Sequence, residues 1–189
     1  MLGPVIQGSS FRMRPPRLED AAASLPWLED MEVTVRMRYI HPPSLEKAEE
    51  ELRTLARDPD SITWTVEYEG RPVGFTDIRR IDWANGAGHT GTVIGDKAVW
   101  GKGIGGELMR LRAGFAFREL PLRILRSGYF EGNEGSRRAQ EAAGYREVGR
   151  LRNQVYGDGN WMDSIETELT REDWERRSAG AVATAGGEV

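Results

Sequence analysis

The stretch His89–Leu108, HTGTVIGDKAVWGKGIGGEL, decides the fold because it passes from a strand through a loop into a helix. Its first part contains Thr92, Val93 and Ile94, whose β-branched side chains favour a pleated strand. Its last part opens the segment Glu107–Leu120, which carries the apolar spacing of a helix. The stretch therefore predicts a strand, a loop and a helix in direct succession.

The loop within this stretch is rich in glycine. Its glycines are Gly101, Gly103, Gly105 and Gly106. Backbone N–H groups at a helix N-terminus attract anions, and a loop without side chains lets a phosphate come close. Three of the glycines also match the dinucleotide pattern G-x-G-x-x-G, but the loop lies in mid-chain, after strands joined by hairpins. The sequence therefore predicts a phosphate or pyrophosphate site outside a dinucleotide fold, and a glycine-lined helix start without a ligand is the alternative.

Composition limits the classes of protein and of site. The 189 residues are 39% apolar and 30% charged, which is typical of one soluble domain. A net charge of −4 argues against general binding of nucleic acid or of anionic membranes. No cysteine is present, and His41 and His89 have no metal-ligand spacing, so no metal is expected. Because neither a signal peptide nor a long apolar stretch is visible, we expect a cytoplasmic protein.

Three consecutive strands are predicted before the glycine loop. Ser61–Tyr68 alternates apolar and polar residues, and Arg71–Ile78 follows it across a Glu69-Gly70 turn. A second turn signal, Asn85-Gly86, precedes the strand that leads into the glycine loop. Short turns join antiparallel neighbours, so these strands are predicted to form an antiparallel meander.

The chain after the helix that follows the glycine loop is predicted to contain further strands and one more helix. Leu122–Phe130 is a strand that follows the meander through a helix, so it should run parallel to the last meander strand. Asn133–Ala143 is a short helix that ends at Gly144. Tyr145–Tyr156 and Trp161–Leu169 then form a hairpin. These elements predict an α/β fold with one central parallel strand pair.

The sequence predicts one folded domain with loose ends. Residues 1–10 are expected to be a flexible leader, residues 11–176 the domain, and residues 177–189 a disordered tail of small and polar residues. Within the domain, Pro26 is expected to divide the helical region Glu19–Met31 into two pieces.

Together these features resemble the GNAT superfamily of N-acetyltransferases, most closely its ribosomal-protein N-terminal acetyltransferase branch. The resemblance rests on four motifs in the expected order: MRPPRLEDA at 13–21, VIGDKAVWGKGIG at 93–105, FEGNEGSRRAQEAAGY at 130–145 and YGDGNW at 156–161. It implies a mixed, mostly antiparallel sheet with helices on both faces. It also implies acetyl-coenzyme A as co-substrate.

The resemblance assigns a cofactor site. The loop from Trp100 to Gly106 would hold the pyrophosphate, and Lys102 would add a positive charge near it. Ile94 and Gly95 would pair with the pantetheine arm, and a backbone N–H near them would polarise the thioester carbonyl. Trp100 stands where the family usually has glutamine or arginine. The implied cofactor residues are Ile94, Gly95, Trp100, Gly101, Lys102, Gly103, Ile104, Gly105, Gly106 and Asn133.

The implied catalytic residues depart from the family pattern. Gln140 occupies the position where a tyrosine often acts as the acid, and an amide has no titratable proton. Ser136 lies one helical turn earlier and is the substitute proton donor, although it can also simply support the first turn of its helix. His89 occupies the position of a frequent glutamate and is the candidate base, or a structural histidine. The alternative bases are Asp77, Asp96 and Glu67.

The sequence therefore predicts transfer of acetyl from acetyl-coenzyme A to a primary amine by direct attack in a ternary complex. The acceptor is a peptide N-terminus or a small-molecule amine, and neither nucleic acid nor a membrane is expected as a partner. A homodimer remains open. The alternative function is a non-catalytic acyl-coenzyme A sensor or scaffold, because Gln140 and His89 replace residues with which relatives do chemistry.

Overall fold

One mixed sheet organises the chain in the computed structural model, which describes residues 1–35, 37, 41–157 and 159–185. Its strands are β1 Ile6–Gln7, β2 Phe11–Arg14, β3 Ile62–Tyr68, β4 Arg71–Asp82, β5 Ala87–Ile94, β6 Ile124–Phe130, β7 Arg146–Gly157 and β8 Asn160–Thr170. Their order across the sheet is β1-β2-β3-β4-β5-β6-β8-β7. Neighbours are antiparallel except β5 and β6, which are parallel.

The observed topology confirms the predicted fold class. Strands β3, β4 and β5 form the expected meander, and Gly70 and Gly86 have positive φ angles of 76° and 64° in the connecting turns. A helix joins β5 to β6, and a connection of that kind makes two neighbouring strands parallel. Strands β7 and β8 form the last hairpin, in which Asp158 lies outside the described residues.

The helices are α1 Glu19–Leu28, α2 Met31–Thr34, α3 Leu45–Arg57, α4 Ile104–Glu119, α5 Glu134–Ala143 and α6 Arg171–Ala185. Ser44 caps α3 by accepting a hydrogen bond from the Lys47 N–H. The prediction that Pro26 divides a helix is wrong, because Pro26 lies within α1. A proline removes one helical hydrogen bond, and α1 tolerates that loss two residues before its end. The helical conformation is interrupted instead between α1 and α2, at Asp30, which caps α2.

Helix α4 packs its apolar side against the sheet. Ile104 and Leu108 are buried, and Leu111 and Phe115 are partly buried against the same core, as their spacing predicts. The ring of Phe115 meets the buried Trp64 of β3 edge-on, with 5.4 Å between ring centroids. This packing fixes the position of the α4 N-terminus, where the glycine loop ends.

The predicted flexible leader is wrong, because residues 1–10 are tied to the sheet. Strand β1 pairs with β2, and the indole N–H of Trp64 donates to the Pro4 carbonyl over 2.8 Å. The backbone N–H of Ser9 donates to the Glu107 carboxylate of α4 over 2.7 Å. These partners come from distant parts of the sequence, so local composition did not indicate them.

The predicted disordered tail also differs from the structure, since α6 continues past residue 176 as far as Ala185. Trp174 anchors the start of α6 by packing against Phe117 of α4, with 5.8 Å between ring centroids. A helix anchored in this way extends into a segment whose composition alone predicts disorder. Residues 186–189 lie outside the described residues.

Candidate functional site

The parallel strands β5 and β6 separate from each other after a short paired segment. They pair only from Ala87 with Ile124 to His89 with Arg126. Beyond that point β5 continues beside β4 to Ile94, and β6 continues beside β8 to Phe130. The separation opens a wedge in the sheet that leads from His89 towards the glycine loop.

A cleft of about 790 Å³ lies at the open end of this wedge. The end of β5, the glycine loop, the first turns of α4 and α5, and the segment around α2 form its walls. The predicted site residues that line it are Ile94, Trp100, Gly101, Gly103, Ile104, Gly105, Gly106, Asn133 and Ser136. Gly95, Lys102 and His89 are not among its lining residues.

The glycine loop turns through two left-handed residues. Gly101 and Gly103 have φ angles of 77° and 79°, which side chains other than hydrogen rarely allow. No heavy atom lies within 4 Å of where a Cβ would be at either position. Helix α4 begins directly afterwards at Ile104, so its first-turn N–H groups have no partners within the helix and point towards the cleft.

Gly105 and Gly106 have a second role that the sequence pattern did not indicate. A Cβ on Gly105 would lie 3.7 Å from the Ala139 Cβ, and one on Gly106 would lie 3.6 Å from the Ala142 Cβ. These small residues lie where α4 and α5 pack against each other along one side of the cleft. The two glycines therefore belong to the helix contact as well as to the first turn of α4.

The end of β5 is held by two hydrogen bonds. The Trp100 indole N–H donates to the Ile94 carbonyl over 2.8 Å, which links the loop to the strand. The Gly95 N–H donates to the Val73 carbonyl over 2.9 Å, so it is already engaged with β4. Because N–H directions alternate along a strand, the Ile94 N–H points away from β4. Of the two predicted donors, Ile94 is therefore the one whose N–H faces away from β4, as the Thr92 N–H does two residues earlier on the strand.

Gly95 is also covered by a side chain. A Cβ on Gly95 would lie only 2.3 Å from the ring of Trp27 in α1. The Trp27 ring in turn meets Phe75 of β4 at a centroid distance of 6.0 Å. The glycine thus allows α1 to pack against the end of β5, which explains why Gly95 does not line the cleft.

The positive charges at the cleft differ from the predicted one. The Lys102 ammonium lies 4.9 Å from the centroid of the Tyr68 ring, in a cation–π contact outside the cleft lining. Arg110 of α4 and Arg138 of α5 line the cleft instead. Sequence reasoning missed both, although Arg110 lies one helical turn after Gly106 and so on the same side of α4.

The first turn of α5 presents a serine to the cleft. The Asn133 side-chain oxygen caps α5 by accepting from the Ser136 N–H over 3.1 Å. The buried Gln140 donates through Nε2 to the Ser136 Oγ over 3.0 Å and to the Gly128 carbonyl over 3.1 Å. Its Oε1 accepts from the Thr167 hydroxyl. Since the Ser136 Oγ accepts a hydrogen bond from Gln140, its own proton is free to point elsewhere.

His89 lies on β5 at the closed end of the wedge and is half-buried. Burial is the main cause that lowers the pKa of His89 below its ordinary value. The charges of Arg80, Arg126 and Arg79 lower this pKa further, whereas Glu166 acts in the opposite direction. The lowered pKa favours the neutral imidazole, which is the form that accepts a proton.

The alternative bases have structural partners. Glu67 accepts hydrogen bonds from Arg14 over 2.6 Å and forms an ion pair with Arg12 over 2.6 Å. Asp96 caps the 3-10 turn Lys97–Val99 by accepting from a backbone N–H over 2.9 Å. Asp77 accepts from the backbone N–H of Gly91 over 2.9 Å.

The part of the chain that the structure describes shows neither a cluster of metal-binding side chains nor a helix that could span a membrane. Across residues 1–35, 37, 41–157 and 159–185, no three histidine, aspartate or glutamate side chains are grouped in a way that suits a metal ion. Within the same ranges, no helix combines the length and the apolar character needed to cross a bilayer.

Solved acetyltransferase structures have the same overall fold as this chain. The chain superposes on spermidine N-acetyltransferase from Vibrio cholerae, solved with CoA and spermine, with a TM-score of 0.81 and 16% identity over 89% of this chain and 99% of that one. It also superposes on RimL, a ribosomal L7/L12 α-N-protein acetyltransferase solved with coenzyme A, with a TM-score of 0.78 and 12% identity over 88% and 98% of the two chains. At these identities the comparison shows the fold alone.

The sequence itself establishes the family. Residues 10–146 match the family described as "Acetyltransferase (GNAT) domain", so the chain belongs to the GNAT family, and the resemblance drawn from the four motifs is confirmed. YdaF of Bacillus subtilis (strain 168), named as a ribosomal N-acetyltransferase, is 32% identical over 118 residues, or 62% of this chain and 64% of YdaF. YjcK of the same organism, named as an N-acetyltransferase, is 43% identical over 36% of this chain and 38% of YjcK. The matches thus span less than two thirds of either relative.

Proposed function

We propose that this protein transfers acetyl from acetyl-coenzyme A to a primary amine by direct attack in a ternary complex. The observation that carries the proposal is the cleft that joins the free side of β5 to the N-terminus of α4. An extended pantetheine arm fits beside a strand whose N–H groups lack a strand partner, and a pyrophosphate fits at a helix N-terminus. Family membership and the names of YdaF and YjcK support the same reaction.

In this proposal the loop and two arginines hold the phosphates. The first-turn N–H groups of α4 donate to the pyrophosphate, and the left-handed Gly101 and Gly103 let the backbone approach it. Arg110 and Arg138 lie on the two helices that border the cleft, where their charges attract phosphate oxygens. Acetyl-coenzyme A is a co-substrate here, and the chemistry requires no metal.

The reaction uses a base and a proton donor. His89 accepts the proton of the amine, through water, because its lowered pKa keeps the imidazole neutral. The amine nitrogen attacks the thioester carbonyl, whose oxygen is polarised by a backbone N–H of β5. When the tetrahedral intermediate collapses, the C–S bond breaks and Ser136 gives its proton to the departing thiolate. The nitrogen loses its surplus proton in the same step, which restores the proton of the serine hydroxyl and leaves a neutral amide.

The names of the relatives support two classes of acceptor for this proposal. YdaF and RimL carry the names of ribosomal-protein acetyltransferases, and the Vibrio cholerae enzyme carries that of a spermidine acetyltransferase. We place a peptide or protein N-terminus first, because YdaF shares the highest identity among these three. A small polyamine is the second acceptor class.

An amine panel tests this proposal. Peptides with different N-terminal residues, spermidine, spermine and an aminoglycoside are each incubated with acetyl-coenzyme A, and the products are identified by mass spectrometry. We expect one class to gain a single acetyl group at a rate that saturates with acceptor concentration. Tight binding of acetyl-coenzyme A without transfer to any amine would contradict the enzymatic function and favour the non-catalytic sensor.

A further inference from the structure

Arg112 is a fully buried cation in the hydrophobic layer between α4 and the sheet. Its exposed fraction is 0%, and its neighbours along α4 include the buried Leu108, Ala113 and Ala116. A guanidinium keeps its charge in proteins, and burial of a charge costs free energy unless the charge is compensated. A protein with an apolar residue of similar volume at such a position is often at least as stable as the protein with the buried charge.

The hydrogen bonds that Arg112 makes within the described part of the chain go to neutral oxygens. Its Nη1 donates to the Thr76 Oγ1 over 2.5 Å, to the Gly91 carbonyl over 2.6 Å and to the Thr92 Oγ1 over 2.8 Å. Its Nε is buried and has no hydrogen-bond partner. No carboxylate in the described part of the chain lies within ion-pair distance of it. The positive charge therefore acts on β4 and β5 without a neutralising partner.

These contacts lead directly to the cleft. The Gly91 carbonyl and the Thr92 N–H belong to the same peptide group, and in a trans peptide they point in opposite directions. The Gly95 N–H points towards β4, so alternation along the strand directs the Thr92 N–H towards the wedge. Thr92 also lines the cleft. A cation bonded to the carbonyl end of this peptide makes its N–H end a stronger donor.

We propose that Arg112 is a positioning residue for the acyl group, an inference that rests on the proposed binding of acetyl-coenzyme A. Arg112 does not touch the substrate. It polarises the peptide between Gly91 and Thr92, so that the Thr92 N–H donates a stronger hydrogen bond to the thioester carbonyl. Negative charge develops on that oxygen when the amine attacks, and a preorganised donor in a buried site stabilises it.

The test is the infrared carbonyl band of acetyl-coenzyme A labelled with ¹³C at the acetyl carbonyl. The labelled compound is bound to the wild type, to Arg112→Met and to Arg118→Met. Arg118 is the control because it lies on the same helix but stacks on Trp174. We expect the Arg112→Met band at a higher wavenumber than in the other two proteins, since a weaker hydrogen bond lengthens the C=O bond less. We also expect kcat to fall about tenfold or more, with an unchanged KM for acetyl-coenzyme A.

The outcomes separate this inference from the proposed function. Failure of the wild type to bind acetyl-coenzyme A in calorimetry would contradict both. Normal binding with the same carbonyl band in the wild type and in folded Arg112→Met would contradict the role of Arg112 alone. If Arg112→Met does not fold, Arg112→Lys replaces it, since it keeps the charge but loses the forked donor geometry. We then expect a smaller shift in the same direction, and an unchanged band would overturn the proposal.

Discussion

At the scale of single residues, our proposal gives Ser136 the proton-donating role that the family resemblance would assign to a tyrosine at the position of Gln140. Gln140 is buried and connects α5 to β6 and β8 through its amide. Its bond to Ser136 leaves the serine as the partner with a proton to donate. The replacement of an acid by glutamine therefore leaves a proton donor at the cleft.

We predict that Ser136→Ala lowers the rate of single-turnover acetyl transfer by about 10²-fold or more, because removal of a proton donor typically has an effect of this size. Binding of acetyl-coenzyme A should change little. Ser178→Ala is the control, since the Ser178 hydroxyl donates within α6 to the Trp174 carbonyl. Equal rates in Ser136→Ala and Ser178→Ala would remove Ser136 from the mechanism.

A second prediction at this scale concerns the pH dependence of His89. Only the neutral imidazole accepts a proton, and a lowered pKa keeps His89 neutral at lower pH. We therefore expect kcat/KM to rise with pH through a midpoint below about 6.5, the ordinary value for histidine. The matched variants are His89→Gln and His41→Gln. The rise should disappear only in His89→Gln, and its persistence there would exclude His89 as the base.

Sequence patterns identified the residues of the glycine loop, of β5 and of the α5 N-terminus that line the cleft, because each follows from its position in a local motif. They did not identify Arg110, Arg138 or Arg112. The functions proposed for these arginines depend on which side of a packed helix each one occupies and on which residues lie opposite it. The contact of Lys102 with Tyr68 could not be predicted for the same reason, since Tyr68 comes from a distant strand.

At the scale of elements, a buried ion network fixes β2, β3 and α1 relative to one another. Arg14 of β2 donates to Asp20 of α1 over 2.8 Å and to Glu67 of β3 over 2.6 Å. Thr65 of β3 also donates to Asp20 over 2.6 Å. Burial alone would raise the pKa of Asp20, but the hydrogen bonds from Arg14 and Thr65 outweigh it, and the pKa is lowered. Burial likewise acts to raise the pKa of Glu67, whereas the hydrogen bond from Arg14 acts to lower it, and the net effect is a lowered pKa.

We predict that Arg14→Met lowers the free energy of unfolding by about 3–5 kcal/mol near pH 7, because it leaves the buried Asp20 without its ion-pair partner and removes the buried one of the two arginines that pair with Glu67. Both carboxylates have a folded pKa below the unfolded value, so their contribution to stability is present above about pH 4 and is lost as pH falls. The difference between wild type and variant should therefore shrink below about pH 4. Denaturant unfolding at several pH values measures it.

The control for this prediction is Arg12→Met. Arg12 also pairs with Glu67, but 46% of its side chain is exposed, so water screens the interaction. We expect a loss of at most about 1 kcal/mol. Equal losses in the two variants, or a loss in Arg14→Met that does not depend on pH, would contradict the assigned role of the network.

The sequence predicted helices and strands correctly where they depend on neighbouring residues. The predictions were wrong where an element depends on residues that are distant in the sequence. The meander and the crossover follow from turn residues and from the spacing of apolar residues. The course of α1 through Pro26 and the pairing of residues 1–10 depend on tertiary partners, which can outweigh local preferences.

At the scale of the whole molecule, the central claim is that the glycine loop of this GNAT protein holds the phosphates of acetyl-coenzyme A. Two glycines offer a matched comparison. Gly103 in the loop and Gly70 in the turn between β3 and β4 have φ angles of 79° and 76°, and neither has a heavy atom within 4 Å of where a Cβ would be. A side chain therefore causes the same backbone strain at both positions, about 1–2 kcal/mol.

The most direct test is calorimetric titration of acetyl-coenzyme A into wild type, Gly103→Glu and Gly70→Glu, each first shown to be folded. A glutamate at position 103 places a carboxylate where the pyrophosphate would bind, so repulsion and lost space should weaken binding by about tenfold or more. Gly70→Glu should bind as tightly as the wild type. Wild-type affinity in folded Gly103→Glu would contradict the account.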